Sequence, residues 1–126
     1  MITAYVHEGG RLVRHEGLTK PDVTAVWIDL LSPVGDEEAQ IESLLGIDVP
    51  TKEEMEEIEV SSRLYTEGGA SFMTAILPAN ADGDDVDMQP VTFVLTPTHL
   101  ITVRYHEPQA FRTFRPSSSR SAARET

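Results

Sequence analysis

Two glycine pairs, Gly9-Gly10 and Gly68-Gly69, each interrupt a run of strand-forming residues, and nothing else in the 126-residue chain constrains its fold as much. Glycine adopts the positive φ that a two-residue hairpin turn needs at both central positions, so each pair predicts a tight β-hairpin. Residues 2–7 and 11–15 flank the first pair, and residues 63–66 and 70–77 flank the second. A two-residue turn at Gly9-Gly10 sets His7 opposite Leu12 and His15 opposite Ala4. A third hairpin is expected from residues 91–95 and 100–105 around Thr96-Pro97-Thr98. Between the first two hairpins, Ala25-Val26-Trp27-Ile28-Asp29-Leu30-Leu31 is nearly continuous in apolar residues, as in a strand buried on both faces, and Ser32-Pro33 ends it.

Helical spacing follows. Asp36 is expected to cap a helix over residues 36–45, with Ile41, Leu44 and Leu45 on one face and Gly46 as its stop. Thr51 and Glu54 form a capping-box pattern that opens a second helix over residues 51–59, turning Met55 and Ile58 inward. Helices this short owe their stability to docking rather than to propensity. Pro108 begins a further helical turn carrying Phe111 and Phe114. Seven strand-like segments with few helices, and more hairpins than crossovers, predict one α+β domain over residues 1–116. Its sheet is expected to be mixed but mostly antiparallel, with helices packed on its faces. Residues 117–126 are rich in serine and empty of large apolar residues, which predicts a disordered tail. No stretch approaches the ~20 consecutive apolar residues of a membrane-spanning helix, and the first twenty residues are no signal peptide.

Charge narrows the chemistry. Ten Lys and Arg against 21 Asp and Glu leave a net charge of −11, which repels a phosphate backbone and argues against nucleic acid. The chain has no cysteine, so disulfides, thiolate zinc sites and cysteine nucleophiles are excluded. Ten acids lie within residues 36–59, with Lys52 the one opposing cation. On the second helix Glu53 and Glu57 share a face, as do Glu56 and Glu59. Like charges at that spacing repel, and a cation would relieve them; the plainer reading is a solvated helix face. The acidic loop 80–87 fails as a calcium loop, because Val86 falls on a ligand position and Phe93 where the closing glutamate belongs. The four histidines are expected to be polar or edge residues that share no ion. Neither a Gly-x-Ser-x-Gly elbow nor a phosphate-cradling loop occurs. Asp29 is expected to satisfy backbone donors near Ser32, a hydrolase using Asp29 or the acidic loop with a metal being a remote alternative.

The order of segments carries a resemblance. Ala25-Val26-Trp27-Ile28-Asp29-Leu30, a helix ending in Leu44-Leu45-Gly46, Glu54-Met55-Glu56-Glu57-Ile58-Glu59 and Glu107-Pro108-Gln109-Ala110-Phe111-Arg112 together resemble the N-terminal cytoplasmic domain of CorA-type magnesium transporters. The resemblance covers roughly residues 1–116 and implies an α/β/α domain that regulates transport and is not an enzyme. In that family a stalk helix, two transmembrane helices and a Gly-Met-Asn motif follow, so this chain is expected to be a piece that does not itself conduct ions. The family implies a homopentamer whose cytoplasmic domains hold Mg2+ between neighbouring subunits, with Co2+, Ni2+ or Zn2+ as other transported ions. It places one sensor carboxylate at Glu57, where many relatives have aspartate, with Glu53 and Glu56 beside it. The isolated domain is expected to be a monomer or weak dimer. The competing reading is a free-standing acidic α+β module that binds a protein or a small ligand.

Overall fold

The computed structural model describes residues 1–16, 25–57, 64–79 and 87–114. Strands β1 (Ile2–Glu8), β2 (Arg11–Glu16), β3 (Ala25–Leu31), β4 (Leu64–Glu67), β5 (Ala70–Ala79), β6 (Asp87–Leu95) and β7 (Leu100–Arg104) form one seven-stranded sheet in the order β2-β1-β3-β7-β6-β5-β4. Helices are α1 (Gly35–Leu45), α2 (Lys52–Glu57) and α3 (Gln109–Phe114). All neighbouring strands are antiparallel except β3 and β7, which run parallel in the middle of the sheet. The three expected hairpins are therefore present, and the sheet is mixed, as expected. At Gly9-Gly10 φ is 57° and 81°, and His7 faces Leu12 while Ala4 faces His15.

Two strands run longer than expected by two residues or more. The expected strands end at Leu77 and start at Val91, yet β5 reaches Ala79 through Pro78 and β6 starts at Asp87 and includes Pro90. Among the described residues β4 pairs with β5 only as far as Met73, and β7 pairs with β6 only from Val91 onward. Pro90 thus sits where β6 is paired with β5 alone, and its missing N–H can face the open side.

Alternation assigns the two faces. Ile2, Ala4, Ile28, Leu30, Ile101, Val103, Val94 and Phe72 point to one face, where Ile41 of α1 and Met55 of α2 join them with Ile47 and Val49 from the connection. The opposite face carries Tyr5, Trp27, Phe93 and Asp29, with Phe111 of α3 laid across the rings. Helices pack on both faces, and no helix among the described residues is long and apolar enough to cross a membrane.

The start of α1 differs in detail. Its N-cap is Val34, not Asp36, and Val34 offers no side-chain acceptor. Glu37 fills the role instead: its Oε1 accepts from the Val34 N–H at 3.1 Å and from the Met1 ammonium at 2.9 Å. Gly46 ends the helix in the left-handed region at φ 67°, donating to the Glu42 carbonyl at 2.9 Å. Ile58, Glu59, the loop at residues 80–86 and the serine-rich tail lie outside the described residues.

Candidate functional site

The acids singled out in the sequence stand on α2. Thr51 N–H donates to Glu54 Oε1 at 2.9 Å, and Glu54 N–H donates to Thr51 Oγ1 at 3.1 Å, so the capping box forms as its spacing predicts. Met55 points into the core at 2% exposure, which leaves Glu53, Glu56 and Glu57 on solvent. Glu54 is held by its own cap. Among the described residues no three His, Asp or Glu side chains converge so that they could hold a metal ion. Glu53, Glu56 and Glu57 therefore share a helix but not a coordination sphere.

Glu57 borders a cleft of about 310 Å³ between α2 and the β4–β6 part of the sheet. Glu54 and Tyr65 stand at its rim, and Thr74 and Thr92 line it. The two threonine hydroxyls are 2.8 Å apart and buried, a cross-strand pair that the register places directly opposite. Burial first, and then the charges of Glu67, Glu54 and Asp48, push the Tyr65 phenol up from its ordinary pKa. On the other flank burial raises Tyr105 likewise, with Glu38 and Glu53 adding to it, and the Lys52 ammonium sits 5.9 Å from that ring.

Sequence reasoning missed the part played by α1. The Glu38 carboxyl is pushed up by burial, then by the charges of Glu42 and Glu54. Glu42 is one turn along the same helix, but Glu54 belongs to α2, so the charge of an acid on α2 reaches a carboxyl on α1. Helical spacing within one element could reveal only the first of these couplings. Chemically, exposed carboxylates at this density attract hydrated cations without replacing their water.

Asp29 departs from expectation. It is 1% exposed and accepts not from the backbone near Ser32 but from Arg104 of β7. Nε donates to both carboxylate oxygens at 3.1 Å and Nη2 donates to Oδ2 at 2.7 Å. Thr102 Oγ1 donates to Oδ1 at 2.7 Å and itself accepts from Trp27 Nε1 at 3.0 Å. Burial opposes the charge on Arg104, but hydrogen bonding and attraction to Asp29, helped by Glu107, hold its pKa above the ordinary arginine value. The carboxylate is sealed inside the sheet and committed to a cation, which removes Asp29 as the basis for a hydrolase reading. A signal existed: one acid and one base, each in an otherwise apolar strand.

The histidines are also corrected in part. His99 and His106 are buried, at 8% and 7% exposure, rather than edge residues. They do lie at opposite ends of β7, and His15 pairs with Glu8 at 3.1 Å on the exposed first hairpin.

No protein-family model matches the chain. Over 116 residues, 91% of its length, it is 34% identical to the magnesium transport protein CorA of Escherichia coli strain K12. The chain is homologous to CorA. A CorA from Pasteurella multocida is 31% identical over 119 residues, 94% of the chain. The matched regions amount to 37% and 38% of those CorA proteins, so the chain spans little more than a third of their length. The fold agrees: the complete CorA magnesium transporter of Methanocaldococcus jannaschii superposes with a TM-score of 0.63 at 12% identity, covering 99% of this chain and 38% of that one. The soluble domain of the same CorA gives 0.60 at 12% identity, over 90% of this chain and 44% of that one.

Proposed function

We propose that the chain is the ion-sensing soluble part of a CorA-type divalent-cation transporter, with Mg2+ as its principal ion. The observation that carries this reading is 34% identity over 91% of the chain to a protein named for magnesium transport. The complete transporter is a homopentamer in the cell membrane with this domain on the cytoplasmic side. Ion passage belongs to the share of the relatives' length that this chain does not match, and Co2+, Ni2+ or Zn2+ are further ions it could carry. The domain catalyses no reaction; it binds, and binding biases the arrangement of subunits.

Glu57 is half of a regulatory magnesium site in this reading, the other carboxylate coming from a neighbouring subunit. Its exposure at the mouth of the cleft supports that assignment, and Glu53 and Glu56 deepen the negative potential around it. Mg2+ gives up its waters reluctantly and favours octahedral coordination with few protein ligands. The isolated chain should therefore bind it weakly, through outer-shell water, and a shared ion would offset the repulsion between facing carboxylates only in the assembly.

Magnesium titration of the chain by calorimetry or NMR, wild type beside Glu57→Ala, tests the half-site. Weak binding that fades with added salt, and fades further in the variant, is expected. Tight, salt-resistant binding would mean a complete site within one chain. The transporter assignment has its own test, in which this chain replaces the matching segment of the E. coli CorA. Restored magnesium-dependent growth of a transport-deficient strain is expected; an expressed, membrane-inserted chimera that gives no uptake counts against the reading.

A further inference from the structure

We propose that α3 is a hinged clip over the aromatic floor of the sheet, with Arg104 as its catch, so that the helix opens and closes as a unit while the seven strands stay paired. This rests on the packing alone and is independent of the transport reading.

A short helix owes its stability to docking, and the described part of α3 runs from Gln109 to Phe114. Of its described side chains Phe111 is the buried apolar one, at 6% exposure. Its ring centroid lies 6.0 Å from Trp27 and 6.3 Å from Phe93, and the Arg104 guanidinium carbon sits 4.8 Å from it. Arg104 has two working edges. One edge is spent on Asp29, inside the sheet; from the other, Nη1 donates to the His106 carbonyl at 2.8 Å and to Glu107 Oε2 at 3.1 Å, in the segment that leads into α3. That segment is also pinned at its base, where His106 Nε2 and the Leu77 carbonyl are 2.9 Å apart. The pivot is therefore fixed at His106, and the Glu107 contact of Arg104 lies between it and the helix.

The floor does not need the clip. Trp27 is stacked on Tyr5 at 4.1 Å with an 18° tilt, and its Nε1–H donates to Thr102. Thr102 and Arg104 are bound to Asp29 through hydrogen bonds in which Phe111 takes no part. Removing the Phe111 ring uncovers Trp27 and Phe93 without taking away a contact that holds the strands together. Low-stability elements open locally in this way, ahead of global unfolding. Arg104 is thus a positioning residue, coupling the parallel β3–β7 pair to the seat of α3.

Trp27 is the one tryptophan of the chain, so its fluorescence reads the clip directly. The test uses the full chain and the variants Phe111→Ala and Arg104→Lys. It combines acrylamide quenching of Trp27 with hydrogen exchange in α3, β3 and β7. In the unaltered chain α3 amides should exchange through an opening that precedes unfolding of the sheet. In Phe111→Ala, quenching should rise and exchange in α3 should speed by about tenfold or more, while β3 and β7 keep their protection. Lysine keeps a cation beside Asp29 but cannot also span to the His106 carbonyl, so Arg104→Lys should free α3 in the same sense. Should Arg104→Lys not fold, Phe111→Ala and the unaltered chain decide. Unchanged Trp27 accessibility in Phe111→Ala, or α3 amides that exchange only with the whole sheet, would overturn the proposal.

Discussion

Glu37 and Glu38 are neighbours in the first turn of α1, yet their surroundings pull their acidities in opposite directions. Partial burial raises Glu37, but the Met1 ammonium and the Val34 N–H outweigh it and hold the carboxyl below its ordinary value. Glu38 is raised by burial and by Glu42 and Glu54. A depressed carboxyl contributes stability that is complete above the unfolded pKa and lost as pH falls through the folded one. A raised carboxyl does the reverse: its cost sets in as pH rises past the unfolded pKa and is complete above the folded one. Glu38→Gln should therefore raise the melting temperature at pH 7 by about 1 °C, and the gain should vanish below the ordinary carboxylate range. Thermal melts across that range check the sign. The buried pair obeys a harsher rule, because deleting one partner strands the other. Asp29→Asn or Arg104→Met should each cost about 3–5 kcal/mol in urea unfolding, while Asp29→Leu with Arg104→Met should recover most of it.

Among elements, turns and caps carry effects that can be isolated. Gly69 has φ 81° and no atom within 4 Å of where a Cβ would lie, so Gly69→Ala meets no clash. Its cost is the left-handed backbone alone, about 1 kcal/mol, and shows in the unfolding midpoint rather than in the spectrum of the folded chain. Thr51→Ala removes the acceptor for the Glu54 N–H and should cost about 1 kcal/mol. Because the cap closes the first turn of α2, the loss should be accompanied by faster exchange at Met55. Equal protection in variant and parent would mean that Met55 packing, not the cap, holds this helix.

For the whole molecule, charge and fold pull against each other. Eleven excess negative charges oppose the close approach of identical chains, and the expectation of a monomer or weak dimer at low ionic strength follows. Light scattering at micromolar concentration checks it, and a stable pentamer of this chain would refute it. In the proposed transporter a bound cation relieves the repulsion around Glu57, so Glu57→Lys should mimic the occupied state there and shift the magnesium dependence of uptake. In the isolated chain Glu57 is exposed, and the same substitution should move stability by no more than a few tenths of a kcal/mol.

Much of this architecture was legible from local chemistry. Glycine pairs can close two-residue turns, Thr51 and Glu54 cap each other across three positions, and alternation sends Met55 or Ile28 inward wherever the element is placed. Such interactions span a few residues, so their spacing along the chain is also their spacing in space. Local reasoning started β6 too late, since only the sheet order tells that Pro90 has an open side. The acid rows were visible on α2 but not their meeting with Glu38. Asp29 was noticed without its partner, because Arg104 lies 75 positions away in sequence. The order β3-β7 brings that pair together, and a parallel crossover leaves no turn residue to announce it. The sequence alone determined the hairpins, the capping box of α2 and the apolar alternation. Tertiary structure alone decided which charges meet, since attraction between side chains depends on distance in space and not on separation along the chain.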